Sequence, residues 1–192
     1  YKNAVDATIF TPGSRAGVPI SLLGSFNAPT QMEDDEALAE KVQTAASGLL
    51  ALLGIEGDPL QSREHILLAN ILQHNFRLGR SMDLPDLIRQ IQEPPFTRLG
   101  VLDLDSFFSQ SDRFALAMRV NNLLATPGFD LWLEGEPLNI ERLLHTPEGK
   151  PRLSVISIAH LSSSERMFFV TLLLGEMVSW MRRQPGTNSL RA

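Results

Sequence analysis

KPRLSVISIAHLSSSERMFFVTLLLGEMVSWMRR, residues Lys150–Arg183, decides the fold. Leu153 to Ile158 is a short apolar run rich in β-branched residues. Such a run suits a strand covered on both faces, as in a parallel sheet. Ser162 and Glu165 stand at capping-box spacing, Ser-x-x-Glu, where a helix begins. Met167 to Met181 is apolar on nearly every side, which predicts a deeply buried helix. Strand, tight loop and helix make half of a βαβ unit.

Outward from this stretch, a second thin β element lies near the other end. Ala7 to Phe10 reads as a strand closed by the turn Thr11-Pro12-Gly13-Ser14. Val18-Pro19-Ile20 continues extended, and its proline keeps it off a sheet centre. Between these two β elements the chain reads as helix. The acidic run Glu33-Asp34-Asp35-Glu36 suits the positive end of a helix dipole. The helix it opens carries Leu38, Val42, Ala45, Ala46, Leu49 and Leu53 at helical spacing, with Gly54 as its stop. Asp58 as N-cap, Pro59 in the first turn and Gln61 at the capping-box position predict a second helix to about Leu78, ended by Gly79. Asp83 caps a third, with Leu84, Leu87, Ile88 and Ile91 inward, and Pro94-Pro95 stops it. Gly100 to Phe108 reads as a linker. Ser111 or Asp112 caps a helix through Phe114, Leu116, Met118, Val120 and Leu124, broken by Pro127-Gly128. Phe129 to Leu133 is a helical turn, and Asn139 caps one more turn through Ile140, Leu143 and Leu144. The turn Thr146 to Gly149 leads back to the opening strand, and Gln184-Pro185-Gly186 ends the long helix.

This pattern predicts an α-rich α/β fold: a helical insertion flanked by short strands of a parallel sheet. Residues 1–26 form the first strand and turn, 27–149 the insertion, and 150–192 the second strand and long helix. A chain of 192 residues, 43% hydrophobic and 20% charged, can bury a full core. Its net charge of −5 argues against a generally basic nucleic-acid-binding surface. With no cysteine there is no thiolate zinc site, no disulfide and no cysteine nucleophile, and a cytoplasmic location fits best. Met167 to Met181 falls short of the ~20 residues of a membrane span and contains Glu176. The chain starts at Tyr1 without an initiating Met, and is expected to be part of a longer protein.

Chemistry-bearing motifs are few. Gly149-Lys150 fails as a phosphate-binding loop, because Pro151 follows and Leu144 stands where the first glycine belongs. Asp103 and Asp105 in Val-Leu-Asp-Leu-Asp read as loop and helix-capping residues rather than a magnesium site. None of His65, His74, His145 and His160 is paired at metal-ligand spacing, and no metal site is expected. His65 and His74 read as helix-surface or core-edge residues. His160 differs, because it follows the C-terminal end of the predicted strand, the edge where open α/β sheets bind ligands. Ser162, at the helix N-terminus beside it, could meet an anion. Ser162-Ser163-Ser164 lacks the glycines of a nucleophile elbow. Arg182 and Arg183 suit a helix C-terminus and are candidate phosphate or DNA contacts.

Several phrases together resemble one family: Ile9-Phe10-Thr11-Pro12-Gly13-Ser14, Leu52-Leu53-Gly54-Ile55, Asp58 through Leu68, Pro94-Pro95-Phe96, Asn121-Asn122-Leu123-Leu124, Trp132 through Leu138, and Ser157-Ile158-Ala159-His160-Leu161. They are similar to bacterial ATP-binding proteins of the HerA-like group, in the FtsK–HerA class of P-loop ATPases. The resemblance covers essentially the whole chain and rests on many short matches. It implies that the Walker A loop lies upstream, and that the Walker B strand follows Ser189-Leu190-Arg191-Ala192. This chain would then be the segment between the two motifs, with no catalytic residue of its own. ATP and magnesium would bind in the parent, a homo-oligomeric DNA translocase or helicase whose remaining core is this segment's partner. His160 and Ser162 would lie on the nucleotide side. Two readings from other classes stand beside this one: a stand-alone helical adaptor without nucleotide chemistry, and a DNA-binding module whose helices over 58–78 and 83–91 form a helix-turn-helix-like pair.

Overall fold

The computed structural model describes residues 5–21, 26–28, 35–55 and 60–184. Strand β1 (Asp6–Phe10) is followed by β2 (Ile20–Ser21), α1 (Asp35–Leu52), α2 (Arg63–Arg77) and α3 (Leu84–Gln92). Then come β3 (Arg98–Leu99), β4 (Leu102–Asp103), α4 (Leu104–Phe107) and α5 (Gln110–Ala125). A 3-10 turn (Phe129–Trp132), β5 (Glu136–Pro137), α6 (Ile140–Leu144), β6 (Arg152–Ile156) and α7 (Ser163–Arg183) complete the order. The fold is an α-rich α/β arrangement with two-stranded sheets. Among the described residues no helix is long and apolar enough to cross a membrane.

β1 pairs with β6 in parallel, Asp6 opposite Arg152 and Phe10 opposite Ile156. The helices between two short parallel strands are as the sequence predicts, and the structure adds that these two strands are direct neighbours. β2 and β5 form a second parallel contact beside them. α1 makes the most extensive helix contact of the molecule, with α7. The two run antiparallel, since Gly48 meets Leu172, Thr44 meets Gly175, and Glu40 pairs with Arg182. α2 also packs on α1, and α3 on α5. One apolar cluster runs through all of them, from Phe10 and Leu49 to Leu72, Ile91, Leu116 and Phe169.

Two expectations about Lys150–Arg183 are overturned. The strand is not covered on both faces: Leu153 is 58% exposed and Val155 49% exposed. The helix is not buried all round. Phe168, Phe169 and Leu172 are buried, while Met167, Leu174 and Met181 stand in solvent. An all-round apolar helix has no periodicity to say which face packs first, and here α1 takes only one.

Local signals fare better where a cap is involved. Asp83 and Asn139 cap α3 and α6 as expected, and Ser162 with Glu165 forms the full capping box of α7. α5 is capped by Ser109 rather than Ser111 or Asp112, and Phe114 and Met118 point outward. Of the residues expected to open the second helix, Asp58 and Pro59 lie outside the described residues. α2 itself starts later, at Arg63, where Ser62 accepts from the His65 backbone N–H. Glu33 and Asp34, Pro185 and Gly186, and the stretch 189–192 also lie outside the described residues. The predicted linker 100–108 contains a tight hairpin and a helical turn. Arg98 opposes Asp103, and Leu99 opposes Leu102.

Buried polar groups tie the helices. Arg113 is held by the Asp105 carboxylate at 2.7 Å and the Phe108 carbonyl at 2.7 Å. Asn75 on α2 and Gln90 on α3 exchange amide hydrogen bonds. His65 is a core residue and not a surface one, with 0% exposure and its Nε2 at 3.0 Å from Ser47 Oγ on α1. Burial lowers its pKa from 6.5, partly offset by the Gln43 backbone. The unfolded chain thus binds a proton that the folded chain resists. Stability is fully present above pH 6.5 and falls as pH drops below it. We expect stability to fall with decreasing pH below that point. Denaturant titrations of the wild type and His65→Gln across this range check it. The slope should flatten in the variant.

Candidate functional site

Because β1 and β6 are parallel, both strands end at the same edge, and the loops that leave them lie side by side. After β1, Thr11 folds its loop back on itself. Its Oγ1 donates to the Ser14 carbonyl and accepts from the Gly17 N–H, both at 2.9 Å. Gly13 takes a φ of 65°, and a Cβ there would lie 2.6 Å from the Trp132 indole. The glycine is needed both for its left-handed backbone and for this close approach. Trp132 is buried and meets Phe168 of α7 edge to face, ring centres 5.9 Å apart. Arg15 reaches Glu134 with two contacts at 2.8 Å.

After β6, His160 joins the two loops. Its Nε2 lies 2.9 Å from the Pro12 carbonyl. A carbonyl only accepts, so Nε2 carries the proton and donates. The sequence expectation put His160 at this edge, and the structure places it there, against β1's loop. Ser162, two residues on, is committed to its helix. Its Oγ accepts from the Glu165 N–H at 3.3 Å, and its own N–H donates to the Glu165 carboxylate at 2.8 Å. That carboxylate sits where an anion at the α7 N-terminus would sit, so it competes with a phosphate for the helix dipole.

Arg182 and Arg183 lie at the far end of the 21-residue helix α7, away from His160 and Ser162. Arg182 pairs with Glu40 of α1, and Arg183 Nη1 lies 3.3 Å from Ser179 Oγ. The four candidates therefore do not form one constellation. His160 and Ser162 share the strand edge, while at the other end of α7 Arg182 ties the helix to α1 and Arg183 bonds back to Ser179 of α7. Among the described residues no group of three or more His, Asp or Glu side chains is placed to hold a metal ion. Asp103 and Asp105, the pair weighed as a magnesium site, turn to Arg98 and Arg113.

Sequence reasoning missed Arg152. Its guanidinium binds Asp6 and Glu136, each at 3.2 Å, and the Arg142 carbonyl at 3.0 Å, and lies over the Phe10 ring. It thereby ties β1, β5, α6 and β6 beneath the site. A lone arginine at the start of a predicted strand carries no local signal of such a role. A separate open cleft between α2 and α5, lined by Arg63, Glu64, Phe108, Asp112, Leu116 and Arg119, carries balanced charge. No family model, no curated protein and no solved structure matches the chain.

Proposed function

We propose that this chain is the non-catalytic helical module of an ATP-driven motor of the HerA-like kind. In this reading β1 and β6 belong to the motor's parallel sheet, and β6 neighbours the Walker B strand. The helices between them serve subunit contact, partner docking or transmission of nucleotide state. The observation that carries the reading is the parallel pairing of β1 with β6. Asp6 and Arg152, 146 positions apart, meet in register across it, with a helical body between. A two-stranded parallel pair is marginal by itself and ordinarily belongs to a larger sheet. The family phrases around Thr11-Pro12-Gly13 and Ile158-Ala159-His160 fall at one strand edge, which supports the same reading.

The residues at hand do not by themselves build a nucleotide site, since the α7 N-terminus is closed by its own Glu165. ATP, magnesium and DNA would be bound by the motor core. This chain's part is positional. His160 holds the β1 loop against the β6 loop, and α7 carries that edge to α1 through the helix contact and the Arg182–Glu40 pair. ATP hydrolysis with and without duplex DNA, measured on this chain and on the polypeptide of its complete reading frame, tests the proposal. Activity is expected in the longer polypeptide alone, and there His160→Ala should lower it. Hydrolysis by neither would return the chain to the adaptor reading, and hydrolysis by this chain alone would reveal a site of another kind.

A further inference from the structure

α7 gives one side to α1 and leaves the other bare. Phe168, Leu172 and Gly175 face α1, and Arg182 reaches its Glu40. Half a turn round the helix, Met167, Leu174 and Met181 stand 61%, 54% and 60% exposed, and Met177 and Val178 are exposed beside them. Val170, half-buried, completes the stripe. The outer face of a helix ordinarily carries charged and amide side chains. Here about four turns pass without one. The only charged residue between Met167 and Met181 is Glu176, four residues after Leu172 and therefore on the α1 side. An uncharged, methionine-rich stripe of this length is the pattern of a contact surface.

The order of the side chains says what covers it. Met167, Val170, Leu174, Val178 and Met181 read the same from either end: Met, Val, Leu, Val, Met, at spacings of three, four, four and three. These spacings keep all five on one seam. Turning the helix end for end about Leu174 reproduces the seam. A two-fold axis at that point sets Leu174 against Leu174 of a second copy, Val170 level with its Val178, and Met167 level with its Met181. That is the self-complementarity an isologous contact requires. The antiparallel alignment also brings the positive end of each helix to the negative end of the other.

We propose that two copies of this chain pair through α7, antiparallel, about a two-fold axis at Leu174. The seam is ~21 Å long. Packing two of them together buries on the order of 1,000 Å² in total, at the lower edge of specific interfaces. The product is a reversible dimer with a Kd in the micromolar range rather than an obligate one. A two-fold contact closes on itself, so it joins copies in pairs and by itself builds no ring. The inference uses α7 alone and does not rest on the motor reading.

The chain has no cysteine, so introduced thiols report the geometry without background. Under mild oxidation Leu174→Cys should give a disulfide-linked dimer, because facing helices bring the two Cα atoms within the ~4.4–6.8 Å a disulfide spans. Met167→Cys and Met181→Cys should each stay unlinked alone, since their own copies stand ~21 Å apart along the axis. Mixed together, those two variants should link to each other. Self-linking of Met167→Cys and of Met181→Cys would mean parallel helices or random collision, and either overturns the proposal. Sedimentation equilibrium of the wild type from about 1 to 500 µM should show monomer passing to dimer, and monomer throughout would overturn it. Leu174→Arg, at an exposed position away from α1, should weaken the dimer at least about 30-fold and leave Tm at low concentration unchanged. Wild-type affinity in that variant would place the contact on another face and sink the idea. The polypeptide of the complete reading frame carrying Leu174→Cys should link in the same way. A thiol there that neither links nor reacts with maleimide would hand the face to another segment of that polypeptide, against the proposal. ATP hydrolysis by the longer polypeptide decides the motor reading separately, because none of these readouts depends on it.

Discussion

Gly175→Leu is expected to cost about 3 kcal/mol, at the upper end of what overpacking a helix contact ordinarily costs. α1 and α7 approach so closely that even a Cβ at Gly175 would lie 2.3 Å from Thr44 Cγ2, 2.9 Å from its Oγ1 and 3.1 Å from its Cβ. Turning the threonine to another rotamer relieves the first contact and leaves the last, so the helices themselves must part. Gly48, one turn further along α1, is nearly as tight, with Leu172 Cδ2 at 3.0 Å from its would-be Cβ. Parting the helices there loosens the buried Phe168, Phe169 and Leu172 as well. An opposing effect exists: replacing a mid-helix glycine gains up to ~1 kcal/mol in helix propensity. For Gly175→Ala the propensity gain cancels about half of the steric cost, and the net loss should be about 1 kcal/mol. For leucine the steric term wins. In a chain of this size a 3 kcal/mol loss lowers Tm by roughly 6–12 °C. Thermal unfolding of both variants, with and without Thr44→Gly, is the check. The threonine change should recover most of the alanine loss and little of the leucine loss. A leucine variant as stable as the wild type would mean that α1 and α7 do not pack as described.

Arg152→Met should be of similar size, about 3 kcal/mol. The Arg152 side chain is only 10% exposed, and methionine keeps much of its volume while removing the charge and the donors. Asp6 and Glu136 would then face one another without a cation between them, and the Arg142 carbonyl would lose its donor. Breaking a buried ion pair from one side costs about 3–5 kcal/mol. The low end applies because the two carboxylates are 39% and 36% exposed, so water screens part of the loss. Adding Asp6→Asn and Glu136→Gln to Arg152→Met should restore about half of the stability, since the penalty lies largely in the stranded charges. Chemical denaturation of the single and triple variants decides it. If the triple variant is no better than the single one, the arginine's contribution is its packing on Phe10 and not its charge.

Much of the chain was legible because the signals are local. A capping side chain and the N–H it serves are three residues apart, so Ser162 with Glu165, Asp83 and Asn139 mark their helices without help from the rest of the molecule. The turn after β1 and the stops at Gly54 and Gly79 are of the same kind. The position of His160 at the strand edge also followed from order alone, strand then loop then helix. Registers and faces did not. Ser111 and Asp112 are as good caps as Ser109 in isolation, and the folded chain uses Ser109. The hairpin over 98–103 was hidden in a two-residue strand pair too short to alternate.

The sequence by itself determined that two short apolar strands bracket a helical body, and that capped helices of known polarity fill the interval. Periodicity and capping act over a few residues and need no partner. Only the tertiary structure decided that β1 and β6 are direct neighbours in register, that α7 gives α1 one face and leaves the other in solvent, that Arg152 is mostly enclosed and that His65 is buried. Each of these depends on residues far apart in the chain, such as Asp6 with Arg152 or Thr44 with Gly175. Which apolar surface is buried is settled by what comes to lie against it, and that is a property of the assembled fold.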